Sequence, residues 1–333
     1  MATSVITAFN EFLRDKVNLD PDVTRTARSS LEWLLEQIHG FPDAESTFPH
    51  LYTEKDISFG SFARRTKIRE LDDVDVIIGL FAGGATYADL GERVQITVPA
   101  THPTLNNYLH DGTTLLNSKR VINAFVAQVA SVAQYRKAEI KRTGEAATLS
   151  LTSYTWTFDI VPAFFTNPEP DLRTFYLIPD GDGHWRKTDP RLDRDAAQNA
   201  NQRHDAHMLD FLRLMKYWNV RRTAPAVPSY VFETMIIRYC NGIDNKLSEF
   251  VDMNVADFLD WLSVAIYNPV YDLKNIQGDL NSIEWMEKLR LATRATADAV
   301  VAREGGKLEN SGDQQGSMNR WRKVFGDEFP AYG

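Results

Sequence analysis

Cysteine is nearly absent: Cys240 is the single one in 333 residues. One thiol excludes an intrachain disulfide framework and a cysteine-based zinc site, and it suits a reducing cytosol. Long apolar runs are missing as well, so no segment reaches the about 18 residues that a membrane-spanning helix needs. Met1 to Val17 carries polar residues throughout and lacks the apolar core of a signal peptide. A cytoplasmic location is therefore expected. Positive charge is in deficit: 37 Lys and Arg against 45 Asp and Glu give a formal charge of −8. Such a balance argues against a broad basic surface for duplex or long RNA, although it allows a local basic pocket for triphosphates. Repeats and low-complexity tracts are also lacking. The remaining composition, 43% apolar and 25% charged, is that of a globular protein long enough for one large domain or two lobes.

What is present is concentrated first in Phe59-Gly60-Ser61, followed twelve residues after Ser61 by Asp73-Val74-Asp75-Val76. Alternate residues of a strand share a face. Asp73 and Asp75 therefore point the same way, about 7 Å apart along the backbone, which side-chain flexibility can close around two metal ions about 3.5–4 Å apart. Val74, Val76, Ile77 and Ile78 supply the apolar complement of a buried strand. A third carboxylate, Asp159, lies in a second strand-like stretch, Thr155 to Ala163, where Thr157, Asp159 and Val161 share a face. Oxygen-only ligands of this kind suit two Mg²⁺ ions, with Mn²⁺ as substitute, rather than zinc. Gly60 and Ser61 would hold phosphate oxygens in a small anion nest. The chemistry expected is that of a nucleotidyltransferase: Asp73 and Asp75 bridging both metals, Asp159 binding the one that activates the attacking hydroxyl.

Asp20-Pro21 reads as a helix start and Gly40 as its stop. A strand at Ile57 to Phe59 and another over 73–80 follow, then a stretch, 85–116, that suggests an insertion around Gln95 to Pro103. Val121 to Tyr135 reads as a helix, Ala147 to Thr152 as a strand, and Asp-Gly-Asp-Gly at 180–183 as a hairpin turn. From Asn199 onward the pattern is helical: His207 to Val220, Ser229 to Cys240, Val255 to Tyr267, Ser282 to Arg303. Residues 304–317 read as a mobile surface loop before a short helix, Trp321 to Phe325. The expected organisation is a catalytic lobe over 1–198, with its N-terminal helices, and a helical lobe over 199–333.

The helical half holds a second constellation. Met208, Leu212, Met215 and Trp218 make one helix face, while Asp210, Arg213 and Lys216 fall on the other. Lys216 can serve a phosphate as a point-charge donor. Ser229, at a helix N-terminus after Pro228, is placed for another phosphate, and Tyr230 for stacking on a base. The plainer alternatives are a solvated Lys, a capping Ser and a core Tyr. Arg64, Arg65 and Lys67 are candidates for triphosphate contacts or for a solvated basic segment. His204 and His207 read as surface or capping residues.

In this order the motifs Gly60-Ser61…Asp73-Val-Asp75, Phe-Asp159-Ile-Val-Pro, Leu-Met-Lys216-Tyr-Trp and Pro-Ser229-Tyr-Val-Phe-Glu-Thr resemble the DNA polymerase β-like nucleotidyltransferase superfamily. Within it the chain resembles the bacterial cyclic GMP-AMP synthase-like, DncV-like enzymes (CD-NTases) of CBASS anti-phage systems. The likeness spans nearly the whole chain, including Asn268-Pro269-Val270 and a Trp321-Arg-Lys-Val-Phe ending similar to the branch partnered with HORMA-domain proteins. Arg65-Thr66 stands where many relatives have Gly-Thr.

The resemblance implies an α+β bilobed fold, a mixed-sheet catalytic lobe plus a helical lobe, with the active-site cleft between them. It also implies Mg²⁺-dependent condensation of ATP, with GTP or other nucleoside triphosphates, into a cyclic di- or trinucleotide that switches on an effector. Asp73, Asp75 and Asp159 match the metal carboxylates, Gly60-Ser61 the phosphate turn, and Lys216, Ser229 and Tyr230 the triphosphate and base contacts. A HORMA-domain activator is the implied partner. Two alternatives of other classes are a template-independent RNA or tRNA nucleotidyltransferase and a degenerate nucleotide-binding regulator. The acidic balance counts against the first and the complete carboxylate set against the second; aminoglycoside-type nucleotidylation is a lesser option, its enzymes being shorter.

Overall fold

Alternation of apolar residues with short polar or β-branched ones builds nine strands among the described residues. The computed structural model describes residues 2–221 and 226–333. The strands are β1 (Ile57–Phe59), β2 (Asp73–Leu80), β3 (Thr86–Asp89), β4 (Val94–Thr97), β5 (Glu139–Thr143), β6 (Ala146–Ser150), β7 (Thr157–Phe165), β8 (Tyr176–Pro179) and β9 (Trp185–Thr188). The helices are α1 (Val5–Phe12), α2 (Pro21–His39), α3 (Phe41–Ala44), α4 (Gly60–Ala63), α5 (Ser118–Ser131), α6 (Pro190–Arg203), α7 (Met208–Val220), α8 (Ser229–Gly242), α9 (Val255–Ala265), α10 (Trp285–Asn310) and α11 (Gln314–Phe325). The fold is α+β.

The chain divides into two compact units. The sheet unit comprises Pro21–Ala63 and Glu70–Arg191; the helical unit comprises Met1–Asp20, Arg64–Arg69 and Leu192–Gly333. This division is discontinuous, whereas the sequence pattern predicts lobes over 1–198 and 199–333. Residues up to Asp20 group with the C-terminal helices because α1 is amphipathic. Its Phe9 and Phe12 rings meet Trp321, Phe325 and Phe329, with centroids 4.8–5.8 Å apart.

In the sheet unit the strand order is β1-β2-β7-β8-β9-β4-β3, with β6 on β7 and β5 on β6. Only β2 and β7 run parallel; the rest are antiparallel. Along β2, Val74, Val76, Ile78 and Leu80 are all buried on one face. On the other face Asp73 and Asp75 are half-buried at the start of the strand, and Ile77 beyond them is fully buried. Thus β2 is amphipathic at its first half and buried on both faces at its second. Ile77, Val161, Ala163, Tyr176 and Ile178 form the small core that closes the carboxylate face. Residues 85–116 hold a β3–β4 hairpin turning at Gly91. The Asp180–Gly183 turn joins β8 and β9 as expected.

The helical unit is built on one apolar core running through α1, α7, α8, α9, α10 and α11. The expected loop over 304–317 is instead helix: α10 continues to Asn310, and α11 begins at Gln314 with Asp313 as its cap. Two adjacent glycines read as a loop signal, yet Gly305 is a contact point. A Cβ there would lie 3.2 Å from Trp321 Nε1, so the missing side chain lets α11 come close. His204 is not a surface residue; it is fully buried, its Nε2 bonding the Cys240 carbonyl at 2.8 Å and its Nδ1 accepting from the Leu247 amide at 3.0 Å.

Candidate functional site

The parallel pairing of β2 with β7 sets the candidate site in the sheet unit. Its register puts Asp73 opposite Thr157 and Asp75 opposite Asp159. All three carboxylates therefore share one face, two of them as direct cross-strand neighbours. Like charges facing each other across a ladder are destabilising, so this is not how a sheet stabilises itself. Asp159 is half-buried, not turned into the core. On its other side, β6 places Thr148 in register with it, and the Thr148 hydroxyl donates to Asp159 Oδ1 at 2.7 Å.

Gly60 and Ser61 come to the same place from β1, whose Phe59 pairs with Asp75. Gly60 opens the short turn α4 with φ +70°, and a Cβ there would sit 1.8 Å from Asp75 Oδ2. Backbone conformation and space both demand glycine. The turn thus abuts the Asp75 carboxylate.

Three carboxylates aligned by register, with no nitrogen or sulfur donor, suit hard divalent cations. The residues fit a metal pair in donor chemistry and in backbone placement. Their side chains are not drawn into a cage, and among the described residues no group of three His, Cys, Asp or Glu is assembled that could hold a metal ion.

The other residues expected to bind nucleotide lie in the helical unit and are engaged in two buried polar clusters. Lys216 is 5% exposed and does not present a solvated ammonium. Its Nζ donates to the Thr66 carbonyl at 2.9 Å and lies 3.4 Å from Glu233 Oε2. Glu233, on α8, also accepts from Arg64 Nε at 2.7 Å and from Thr66 Oγ1 at 2.8 Å. Burial pushes the Glu233 carboxyl up, but Arg64 and Lys216 outweigh it and hold the group below its ordinary range. Desolvation lowers Lys216 below the usual lysine value, although Glu233 opposes the shift. Arg64 is therefore no solvated basic residue but the partner of a buried acid. Next to it, Arg65 has φ 62°. The backbone there keeps the left-handed conformation that glycine favours at the corresponding turn.

Tyr230 sends its hydroxyl into the second cluster. Its Oη lies 2.7 Å from Asp193 Oδ1, 2.9 Å from Asp272 Oδ1 and 2.6 Å from Lys274 Nζ. Burial first, then the adjacent carboxylates, raise its pKa far above the tyrosine norm. The expected base-stacking residue is thus anchored as part of the helical framework. Ser229 is exposed as the first residue of α8.

Thr148, Glu233, Asp193, Asp272 and Lys274 were not singled out from the sequence. Glu233 had a signal: an acid inside the apolar run Val231 to Ile237 needs a buried cation. Thr148 had a weaker one, its place on a strand expected beside the Asp159 strand.

No family model matches the chain. A probable cyclic nucleotide synthase of Bacillus cereus (strain VD146) is 38% identical over 334 aligned residues, covering 100% of this chain and 99% of that protein. A cyclic AMP-AMP-AMP synthase of Escherichia coli (strain MS 115-1) is 24% identical, covering 96% and 95%. Among solved structures, CdnC of E. coli MS115-1 with ATP matches with a TM-score of 0.67 at 18% identity, covering 98% of each chain. CdnC in complex with HORMA-deltaN matches at 0.68 and 17%, with the same coverage. The fold is shared with these solved structures, and the 38% identical relative makes the chain a nucleotidyltransferase. The chain belongs to the CD-NTase family, the nucleotidyltransferases that make cyclic oligonucleotides.

Proposed function

We propose that this enzyme condenses ATP, alone or with another nucleoside triphosphate, into a cyclic di- or trinucleotide and releases pyrophosphate, using Asp73, Asp75 and Asp159 as its metal-binding carboxylates. The observation that carries this reading is the register of β2 and β7, which makes Asp75 and Asp159 direct neighbours with Asp73 on the same face. Two Mg²⁺ ions held there, or Mn²⁺ in their place, would lower the pKa of the attacking hydroxyl and offset charge on the triphosphate. Gly60 leaves room for the turn to reach Asp75, so its backbone amides and Ser61 take the β- and γ-phosphate oxygens. In the helical unit, exposed Ser229 is the group proposed to take a phosphate oxygen. Lys216 acts through the Thr66 and Glu233 contacts that hold it, and Tyr230 as an anchor.

ATP as substrate is supported by the E. coli relative's product and by the ATP in the CdnC structure. A HORMA-domain protein is the proposed partner, supported by the CdnC complex. With that partner goes a role in anti-phage signalling through an effector that reads the product. A reaction that consumes nucleoside triphosphates belongs in the cytoplasm; among the described residues no helix is long and apolar enough to cross a membrane.

The test is incubation of purified protein, with and without a HORMA partner, with Mg²⁺ or Mn²⁺ and each labelled nucleoside triphosphate, followed by phosphatase and nuclease treatment. A small phosphatase-resistant product is expected. Elongation seen only when RNA or tRNA is added would assign the enzyme to tailing instead.

A further inference from the structure

We infer that Thr148 is a positioning residue for Asp159, fixing the orientation of that carboxylate for the cation it is proposed to bind; the inference rests on the metal role assigned to Asp159 above. Asp159 stands in the middle of a register row that crosses the sheet. Asp75 of β2 is its neighbour on one side and Thr148 of β6 its neighbour on the other. An aspartate there has two rotatable bonds, and repulsion from the Asp75 carboxylate acts on it from the β2 side. Thr148 acts from the β6 side. Its hydroxyl, on a side chain only 9% exposed, donates to Asp159 Oδ1 at 2.7 Å.

A bond from a donor to a carboxylate is charge-assisted and stronger than one between neutral groups. It takes one lone pair of Oδ1 and keeps that oxygen on the β6 side. The second oxygen then faces away from β6, toward the side where Asp75 stands. Among the described residues Oδ2 has no hydrogen-bond partner, so it is the oxygen left for a ligand. Threonine suits the task on two counts. Its β-branch restricts χ1, and it favours the strand that carries it, so the donor is itself held in place. The cation then meets a ligand whose orientation is already set, and less side-chain freedom is lost on binding.

The test uses the full chain and four substitutions: Thr148→Val and Thr148→Ala, which remove the hydroxyl, Thr148→Ser, which keeps it, and Asp159→Asn. Mn²⁺ affinity is measured without nucleotide by the electron paramagnetic resonance of free Mn²⁺. Thermal unfolding and the metal dependence of turnover are recorded in parallel. Loss of a group that orients a metal ligand typically costs about 10- to 100-fold in metal affinity or activity. The Val and Ala variants should therefore bind Mn²⁺ about tenfold more weakly and turn over about tenfold more slowly at fixed metal, with the KM for nucleotide within about twofold of the parent. The Ser variant should recover most of both.

If the Val and Ala variants match the parent while Asp159→Asn loses metal and activity, Thr148 is a bystander and only this inference fails. Equal impairment of Ser, Val and Ala would assign Thr148 to packing and overturn it too. If Asp159→Asn leaves Mn²⁺ binding and turnover intact, the metal reading of the site fails, and this inference falls with it.

Discussion

Both units contain acidic side chains away from bulk water, and one group of them in each is arranged on an opposite principle. In the helical unit three buried acids are set among cations: Glu233 with Arg64 and Lys216, Asp193 and Asp272 with Lys274. In the sheet unit three half-buried carboxylates are aligned by register on one face, two of them directly opposed. Burying a charge without a partner is costly, so a charge that belongs to the framework brings its counter-charge with it. Carboxylates placed like beside like run against the preference of a β-ladder, which supports the metal role proposed for them. On the proposed metal role, substitution should affect stability in one group and activity in the other.

The largest effect is expected from Asp73→Asn combined with Asp75→Asn. Removing the charge proposed to hold the cations should remove several kcal/mol of transition-state stabilisation, at least about a thousandfold in turnover. Asp and Asn being nearly isosteric, the unfolding temperature should change far less than turnover does. Pyrophosphate release and thermal melts measure both. Retained turnover, or a large drop in melting temperature, would break the contrast between the units.

Glu233→Gln is the converse experiment. It leaves Arg64 and Lys216 buried without their anion, an imbalance that costs about 3–5 kcal/mol of folding stability. Because the Glu233 carboxyl titrates below its ordinary value of 4.5 in the folded chain, its contribution is fully present above that value and is lost as pH falls through the lowered one. Lys216 titrates below 10.5, so folding favours its neutral form and the variant's deficit should shrink as pH rises through the folded value. Denaturant unfolding from pH 3 to 10 checks the sign at both ends. A deficit that does not vary with pH would mean that the cluster is held by shape, not by charge.

Gly60→Ala lies between the two classes. The added Cβ would meet Asp75 Oδ2 at 1.8 Å and the residue would keep φ +70°. Strain of this kind costs about 1–3 kcal/mol. Relief by a swing of the Asp75 side chain would move a proposed metal ligand, so turnover should fall further than stability does. Comparing kcat with the melting temperature tests this, and a fall in stability alone would make Gly60 part of the framework.

The shared face of the three carboxylates was legible because its information is local. The alternation of Asp73-Val-Asp75-Val and of Phe-Asp159-Ile fixes which face each acid occupies, and β2 begins and ends where the pattern predicts. The pairing partner of Asp159 was not legible, since register between β6 and β7 depends on the turn joining them. The helical unit was harder for a related reason. Lys216 and Tyr230 sit at helical positions whose exposure depends on what folds over them, here Thr66 and Glu233 for one and Asp193, Asp272 and Lys274 for the other. No spacing rule discloses a partner 150 residues away. Gly305-Gly306 misled because composition alone does not distinguish a flexible glycine from one that lets two helices approach.

Arg65→Gly should give the smallest change, and its sign is informative. Arg65 has φ 62° and its side chain is exposed, so little packing is lost with it. Relief of a left-handed non-glycine residue returns about 1–2 kcal/mol. Glycine also frees the unfolded chain, which opposes folding by about 0.5–1 kcal/mol. The Arg65 carbonyl keeps its hydrogen bond from Arg213 Nη1, 2.6 Å long, because that bond uses the backbone. The balance favours the glycine variant by about 1 kcal/mol or less, read as a rise in the denaturant midpoint at unchanged slope. Loss of stability instead would mean that the arginine side chain itself supports the segment, and the helical unit's framework would then extend beyond its buried ion pairs to its surface.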